Sequence, residues 1–145
     1  MNRKDETVFA AWVGMIRSCQ SLTTRVEESL KRADLPPLSW YDVLLEINRE
    51  KDKRLRLQEI GERVLLAKNN VTRLVDRLEK DALVTRKKCA DDGRGVFAYI
   101  TPKGSALIDT MWPVYREAVR DLFASRLTTA ELAQLISIQA KLIAK

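Results

Sequence analysis

The sequence of 145 residues contains no histidine and only two cysteines, which restricts the chemistry open to it. Histidine is the usual general base near neutral pH and the commonest metal ligand. Cys19 and Cys89 cannot form a zinc site by themselves, and their wide separation makes a poor disulfide framework. Glycine-rich phosphate-binding motifs and the Gly-x-Ser-x-Gly nucleophile motif are also absent. The sequence therefore predicts no enzyme activity, no cofactor and no metal site.

Long apolar runs are missing as well. No run approaches the ~18 residues that cross a bilayer, and the N-terminal residues do not resemble a signal peptide. These features predict a cytoplasmic protein with no membrane partner. The net charge is +6, and residues 49–94 hold 14 Lys and Arg against nine Asp and Glu. A concentration of basic charge suggests a polyanionic partner.

The middle of the chain contains a helix with two contrasting faces. Apolar residues at positions i, i+3, i+4 and i+7 form a stripe that should face a core; they are Val71, Leu74, Val75 and Leu78. The opposite face is rich in Asn, Thr and Arg, the side chains that hydrogen-bond base edges and phosphates. These candidate DNA-binding residues are Lys68, Asn69, Asn70, Thr72, Arg73 and Arg77.

A basic two-stranded hairpin is predicted after this helix, with strands Val84–Cys89 and Val96–Thr101. The Asp-Gly step between the strands allows a sharp turn. Lys87, Lys88, Asp92 and Arg94 of this hairpin are further candidate DNA-binding residues. A short helix, a reading helix and a basic hairpin predict a winged helix-turn-helix over residues 38–101 that binds double-stranded DNA.

Helical segments flank this unit on both sides. A heptad-like seam runs from Val8 to Val26 on a helix that should reach about Lys31 and belong to a segment 1–34. Two prolines break that helix, and Ser39 is the expected N-cap of a helix Trp40–Asn48. A charged loop, Arg49–Arg54, should then lead into the reading unit.

The C-terminal segment, 102–145, should contain two more helices. The first should begin at Pro102 with Thr101 as N-cap, run to about Ser125 and kink near Pro113. Thr128 opens a capping box for the second. The flanking helices carry more apolar surface than a small central domain covers, which predicts dimerisation helices and a homodimer. An intrachain helical core is the alternative. The expected fold class is mainly α, with a two-stranded β-hairpin wing.

The order of motifs resembles that of MarR-family transcriptional regulators over nearly the whole chain. The similar segments are the helix 72–80 that ends in Leu-Glu-Lys, the strand start Leu83-Val84-Thr85-Arg86, the tip Asp92-Gly93-Arg94 and the helix start Ile100-Thr101-Pro102-Lys103-Gly104. The sequence departs from the family pattern at Leu65, Ala67 and Ala82, where Gly or a capping Ser is usual.

The resemblance implies a homodimeric repressor or activator that binds a pseudo-palindromic operator. It implies that Asn69, Asn70, Thr72 and Arg73 resemble recognition-helix contacts. It further implies that Arg94 resembles the wing arginine that enters the minor groove, and that Asp92 resembles the wing aspartate that orients it or pairs with a nearby arginine. In this family a small anionic phenolic ligand or thiol oxidation often lowers DNA affinity.

Several aromatic residues on the predicted helices are candidates for an effector pocket. An aromatic anionic effector could stack on them, with Arg17 or Arg25 for its carboxylate; core packing is the alternative reading. The aromatic residues concerned are Trp12, Trp40, Tyr41, Trp112 and Tyr115. Cys19 is expected on the apolar seam, where cysteines are usually buried and inert, and Cys89 in the basic hairpin.

Two other functional classes remain open at this point. A winged-helix module that binds protein instead of DNA would share the fold. Salt-dependent binding of duplex DNA would separate these two classes. A thiol-based redox regulator would use Cys19 or Cys89, and mass spectrometry after peroxide treatment would detect it.

Overall fold

The computed structural model describes residues 2–64, 70–88 and 95–145. In this part of the chain, helices predominate and three short strands form a single antiparallel sheet. No helix among these residues is long and apolar enough to cross a membrane. The elements are α1 (Arg3–Arg32), α2 (Leu38–Arg49), β1 (Arg54–Arg56), α3 (Leu57–Arg63), α4 (Val71–Lys80), β2 (Val84–Lys88), β3 (Val96–Ile100), α5 (Pro102–Leu122), a 3₁₀ turn (Ala124–Arg126) and α6 (Thr129–Ile143).

The chain divides into two compact units. The central unit is Leu30–Pro113, and the terminal unit combines the residues up to Ser29 with Val114–Lys145. The predicted division into segments 1–34, 38–101 and 102–145 remains a prediction.

The core of the central unit lies between the sheet and helices α2, α3 and α4. Apolar side chains with no or almost no exposed surface fill it, and burying each such side chain is worth about 1.5–3 kcal/mol. They include Val43, Leu44, Ile47, Leu55, Ile60, Val75, Leu78 and Val84.

Helix α2 begins at Leu38, with Pro37 at the N-cap position and no side-chain cap, so the prediction that Ser39 caps a helix from Trp40 was wrong. The fixed φ of Pro37 already directs the chain into the helix.

The sheet has the strand order β1-β3-β2, so the hairpin has a third strand at its edge. β1 pairs antiparallel with β3, with Leu55 opposite Ala98. The predicted charged loop therefore ends in a strand, and a segment of three residues is too short for its alternation to be recognised in the sequence. β2 and β3 pair from Val84↔Ile100 to Lys88↔Val96. β3 ends at Ile100, one residue before its predicted end at Thr101, and the predicted end of β2 at Cys89 lies outside the described residues.

The terminal unit has little buried apolar surface of its own. Val26 and Ala118 are its buried apolar residues, whereas many large apolar side chains on α1 and α6 are exposed in the single chain. Cys19 is exposed too, against the expectation of burial, because the seam of α1 lies on the surface of this unit.

Helix α5 ends at Leu122 and a 3₁₀ turn follows, so the helix is three residues shorter than predicted. The predicted capping box of α6 is present, with Thr128 Oγ1 accepting from Glu131 N at 3.1 Å.

The turn between α4 and β2 is a helix C-cap closed by two backbone hydrogen bonds. Ala82 N donates to Glu79 O at 2.9 Å, and Leu83 N donates to Leu78 O at 2.9 Å. This Schellman arrangement requires a left-handed residue, and Ala82 has φ 60°. The departure from glycine seen in the sequence thus places a Cβ in a strained backbone conformation.

We expect Ala82→Gly to raise the free energy of unfolding by about 1 kcal/mol, because glycine adopts φ > 0 without steric cost. Chemical denaturation followed by circular dichroism measures the change. Ala106→Gly, at an exposed position in the second turn of α5, is the matched control, and it should lower stability by about 1 kcal/mol. A loss of stability in both variants would contradict the assigned strain.

Candidate nucleic-acid interface

Helix α4 has the two faces that the sequence predicts. Leu74, Val75 and Leu78 are buried, and Val71 is half-buried. Among the described candidates on the outer face, Thr72, Arg73 and Arg77 are exposed. The helix thus presents hydroxyl and guanidinium groups to the outside while its apolar stripe fixes it on the core.

Asn70 differs from its predicted place within the helix. It is the N-cap residue of α4, with a left-handed backbone at φ 66° and ψ 37°, and it is exposed. Asparagine tolerates this conformation better than most residues because its short side chain can hydrogen-bond locally. Its carbonyl accepts the first described hydrogen bond of the helix, from Leu74 N at 3.0 Å. Lys68 and Asn69, with the departures Leu65 and Ala67, lie outside the described residues.

An ionic cluster connects α4 to the wing strand β2. Arg86 donates from Nε and Nη2 to Glu79 Oε1 at 3.1 and 3.0 Å, and its backbone N donates to Glu79 Oε2 at 2.7 Å. Its Nη1 lies 2.5 Å from Asp76 Oδ1. The Arg86 side chain is 28% exposed, so solvent screens these contacts only in part. The reading helix and the wing strand are therefore held in one fixed relation.

The same contacts shift two pKa values. Hydrogen bonds from the Arg86 side chain and backbone lower the pKa of Glu79 below its ordinary value of 4.5. Hydrogen bonding to Glu79 raises the pKa of Arg86 further above its already high value. Both shifts favour the charged forms, so Glu79 and Arg86 are an ion pair at neutral pH.

We expect this cluster to contribute to stability in a pH-dependent way. Because the pKa of Glu79 is lowered by folding, its contribution is complete above the unfolded value near 4.5 and is lost as the pH falls through the lower folded value. Glu79→Gln should therefore reduce stability at pH 7 and flatten the decline seen below pH 4.5. Urea denaturation across this range measures both effects. Glu117→Gln, on an exposed ion pair 3.9 Å long, is the control and should change neither.

The described part of the wing is basic at its surface. Lys87 and Lys88 of β2 are exposed, as expected for residues that contact phosphates. The Lys87 ammonium lies 5.2 Å from the centre of the Tyr99 ring. The tip residues Asp92 and Arg94, and Cys89 before them, lie outside the described residues. Their predicted roles stay predictions.

Sequence reasoning missed two arginines on the edge strand. Arg54 and Arg56 of β1 lie against the aromatic residues Phe97 and Tyr99 of β3. The signal in the sequence is the alternation Arg-Leu-Arg in β1 and Phe-Ala-Tyr in β3. In both segments the small or apolar middle residue, Leu55 or Ala98, is buried. Reading it required the pairing of β1 with β3, which the sequence alone does not give.

The residues predicted for an effector are divided between the units. Arg17 and Arg25 line a cavity of about 760 Å³ within the terminal unit, together with Met15, Leu22 and Phe123. Three of the five predicted aromatic residues belong to the central unit, where Tyr41 is buried, Trp40 is half-buried and Trp112 is 47% exposed. Trp12, by contrast, is 57% exposed on α1 in the terminal unit, which also contains Tyr115.

Comparison with known proteins agrees with this geometry. The sequence model of the MarR family matches residues 33–95, which include α2, α4 and the wing strand β2. A MarR family transcriptional regulator from Streptomyces coelicolor, solved in complex with DNA, has a TM-score of 0.85 and 26% identity, covering 98% of this chain and 87% of that one. Residues 33–95 thus form a MarR-family winged-helix unit, and the matches together support a MarR-family transcriptional regulator.

Two further matches are a relative in sequence and a solved structure with the same fold. The uncharacterized HTH-type transcriptional regulator YkoM of Bacillus subtilis is 36% identical over 86 residues, which are 59% of this chain but only 55% of YkoM. Bordetella bronchiseptica BpsR, whose DNA binding is regulated by 6-hydroxynicotinic acid, shares the fold at 20% identity and a TM-score of 0.78, covering 90% of this chain and 91% of BpsR.

Proposed function

We propose that this MarR-family protein is a cytoplasmic transcriptional regulator that binds double-stranded DNA in a sequence-specific manner and has no enzyme activity. The observation that carries the proposal is α4, with exposed Thr72, Arg73 and Arg77 over a buried stripe. The Arg86 cluster supports it, because a reading helix must be fixed relative to the wing to contact both grooves. The Streptomyces relative solved with DNA also supports it.

The protein acts as a homodimer on a pseudo-palindromic operator. Support comes from the apolar side chains that α1 and α6 expose in the single chain, since a patch of this size is a typical association site. They include Val8, Phe9, Trp12, Ile136, Leu142 and Ile143. A two-fold dimer can place two α4 helices about 34 Å apart, one turn of the duplex.

Selection of duplexes from a random library by the purified protein tests both parts of the proposal. We expect enrichment of an inverted repeat with half-sites about one helical turn apart. Sedimentation should give twice the chain mass of 16.6 kDa. A protein that enriches no sequence and binds duplex DNA no better at low than at high salt would contradict DNA binding, and would favour a protein-binding module.

The remaining contacts are proposed from the resemblance. Lys68 and Asn69 would extend the contacts of α4, and Lys87 and Lys88 would hold phosphates beside the wing. Arg94 would enter the minor groove with Asp92 orienting it, because a narrow groove has a strongly negative potential. Arg94→Ala should then weaken operator binding most where the groove is narrow.

A small anionic aromatic effector would release the DNA and make the protein a repressor. The cavity within the terminal unit, which Arg17 and Arg25 line together with Phe123, supports an anionic aromatic ligand. The regulation of BpsR by 6-hydroxynicotinic acid supports this class of ligand. Titration of the protein–operator complex with a panel of aromatic carboxylates tests it, and a complex that none of them dissociates would contradict it.

A further inference from the structure

The face of the sheet turned away from α2 and α3 has an unusual composition. We call it the outer sheet face and define it by the alternate strand residues Arg54, Arg56, Thr85, Lys87, Phe97 and Tyr99. The intervening residues Leu55, Val84 and Ala98 are buried on the other side. Three of the six residues are cationic and none is acidic, so the face has a single sign of charge.

Aromatic rings hold these cations in place. The Arg54 guanidinium carbon lies 4.4 Å from the centre of the Phe97 ring, and that of Arg56 lies 5.2 Å from it. Arg54 Nη1 also donates to Tyr99 Oη at 3.0 Å. Lys87 lies over the same tyrosine at 5.2 Å. Stacking of this kind orders long side chains before any ligand arrives, which lowers the entropic cost of binding.

The outer sheet face reaches the base of the wing. Arg56 Nη1 lies 3.9 Å from the position that a Cβ on Gly95 would occupy, and Gly95 precedes β3. On the other side of β3, Lys87 is followed on β2 by the exposed Lys88. Glu59 Oε1 lies 3.9 Å from Arg56 Nε, a distance at the limit of an ion pair. Cations therefore lie on both sides of the returning strand of the wing.

We propose that the outer sheet face is a second DNA-binding surface, which holds backbone phosphates of the duplex beyond the base pairs read by α4. The inference rests on the proposed DNA-binding function. Planar guanidinium groups match the geometry of phosphate oxygens, and the single sign of charge complements a polyanion. The approach of Arg56 to Gly95 at the base of the wing favours DNA over a separate acidic partner, because the wing is itself a proposed DNA contact.

A purely structural role makes a different prediction. Arginines on a short edge strand can prevent edge-to-edge association of sheets. In that case their removal would cause self-association and would leave DNA binding per folded protein unchanged. The salt dependence of DNA binding separates the two roles, because it counts the phosphates that the protein contacts.

The test uses the double variant Arg54→Gln/Arg56→Gln and two duplexes, one trimmed to a selected operator and one extended past it on both sides. On the extended duplex we expect the dependence of log affinity on log salt to decrease by about one unit for each phosphate that the variant no longer binds. Affinity at low salt should fall about tenfold or more. On the trimmed duplex both changes should be small. The double variant Lys4→Gln/Lys141→Gln removes the same charge from exposed sites of the terminal unit, and should leave the dependence unchanged.

Two further variants keep the test informative if the first one folds poorly. Arg54→Lys/Arg56→Lys retains the charge and should retain most of the salt dependence. Phe97→Leu retains both arginines but removes the aromatic ring against which they stack. Affinity for the extended duplex should therefore fall, while the salt dependence of binding stays near that of the parent. These results together would support a preordered phosphate site.

The inference is overturned if the parent binds the extended duplex and all folded variants bind it with the same affinity and salt dependence. Self-association of the Gln variant with unchanged DNA binding would overturn it too, in favour of edge protection. The inference would also be overturned if the outer sheet face bound an acidic protein and no DNA. A parent that binds no duplex would instead contradict the proposed function, and this inference with it.

Discussion

Gly104→Ala is expected to destabilise the central unit by about 1–3 kcal/mol, the usual cost of forcing an extra methyl group into a packed site. A Cβ at this position would lie 2.3 Å from the carbonyl oxygen of Leu83 and 2.8 Å from Ile100 Cγ1. The first obstacle is backbone, which cannot rotate away as a flexible side chain could. Either α5 or the start of β2 must therefore move. Thermal and urea denaturation measure the loss of stability.

The movement should also reach the reading helix. The first turn of α5 binds three successive carbonyls that follow α4: Lys103 Nζ donates to Asp81 O at 2.8 Å, Thr101 Oγ1 to Ala82 O at 2.7 Å and Thr101 N to Leu83 O at 3.0 Å. Thr101 Oγ1 also accepts from Gly104 N at 3.0 Å, as an N-cap. We therefore expect Gly104→Ala to weaken operator binding in addition to stability.

Gly61→Ala in α3 is the matched control. There an added Cβ would lie 3.6 Å from Val71 Cγ2, an ordinary van der Waals contact, so the same substitution should be neutral or should stabilise the helix by about 0.5–1 kcal/mol. Equal effects of the two substitutions would mean that the close approach at Gly104 is not a constraint in solution.

The elements with long periodic patterns could be predicted from the sequence. The stripe of α4, the long helix α1, the Thr101 N-cap and the Thr128 capping box were all confirmed. In each case the information is local, because a helix period or a cap lies within a few residues of sequence. The recognition of the MarR family used the order of these local signals and was confirmed as well.

Features that depend on pairing between distant segments could not be predicted. β1 is a strand because Leu55 meets Ala98, more than forty positions along the chain. The Arg86 cluster needs the end of α4 beside β2, and the left-handed conformations of Asn70 and Ala82 are set by the turns that surround them. The exposure of Cys19 could not be predicted for the same reason. An apolar seam is buried only where another surface covers it.

Arg73→Ala should cause the largest loss of specific DNA binding among the described residues of α4. Arg73 is exposed in the first turn of the helix, where residues of a recognition helix contact base edges. If its guanidinium forms a bidentate contact with guanine, we expect binding to weaken by about 1–3 kcal/mol per half-site, with two half-sites per dimer. Titration of the selected operator by fluorescence anisotropy measures the change, and base substitutions in each half-site show which position relaxes.

Two comparisons make this result interpretable. Lys80→Ala removes one positive charge from the last turn of the same helix and should reduce affinity little, and equally for all sequences. Asn70→Ala is a less direct test, because alanine at the left-handed N-cap position would add backbone strain to the effect of removing the amide group. If Arg73→Ala binds the operator as tightly as the parent, Arg73 is not a base contact. If its affinity falls equally for operator and random duplex, as that of Lys80→Ala should, it contacts phosphate and the sequence must be read elsewhere along the interface.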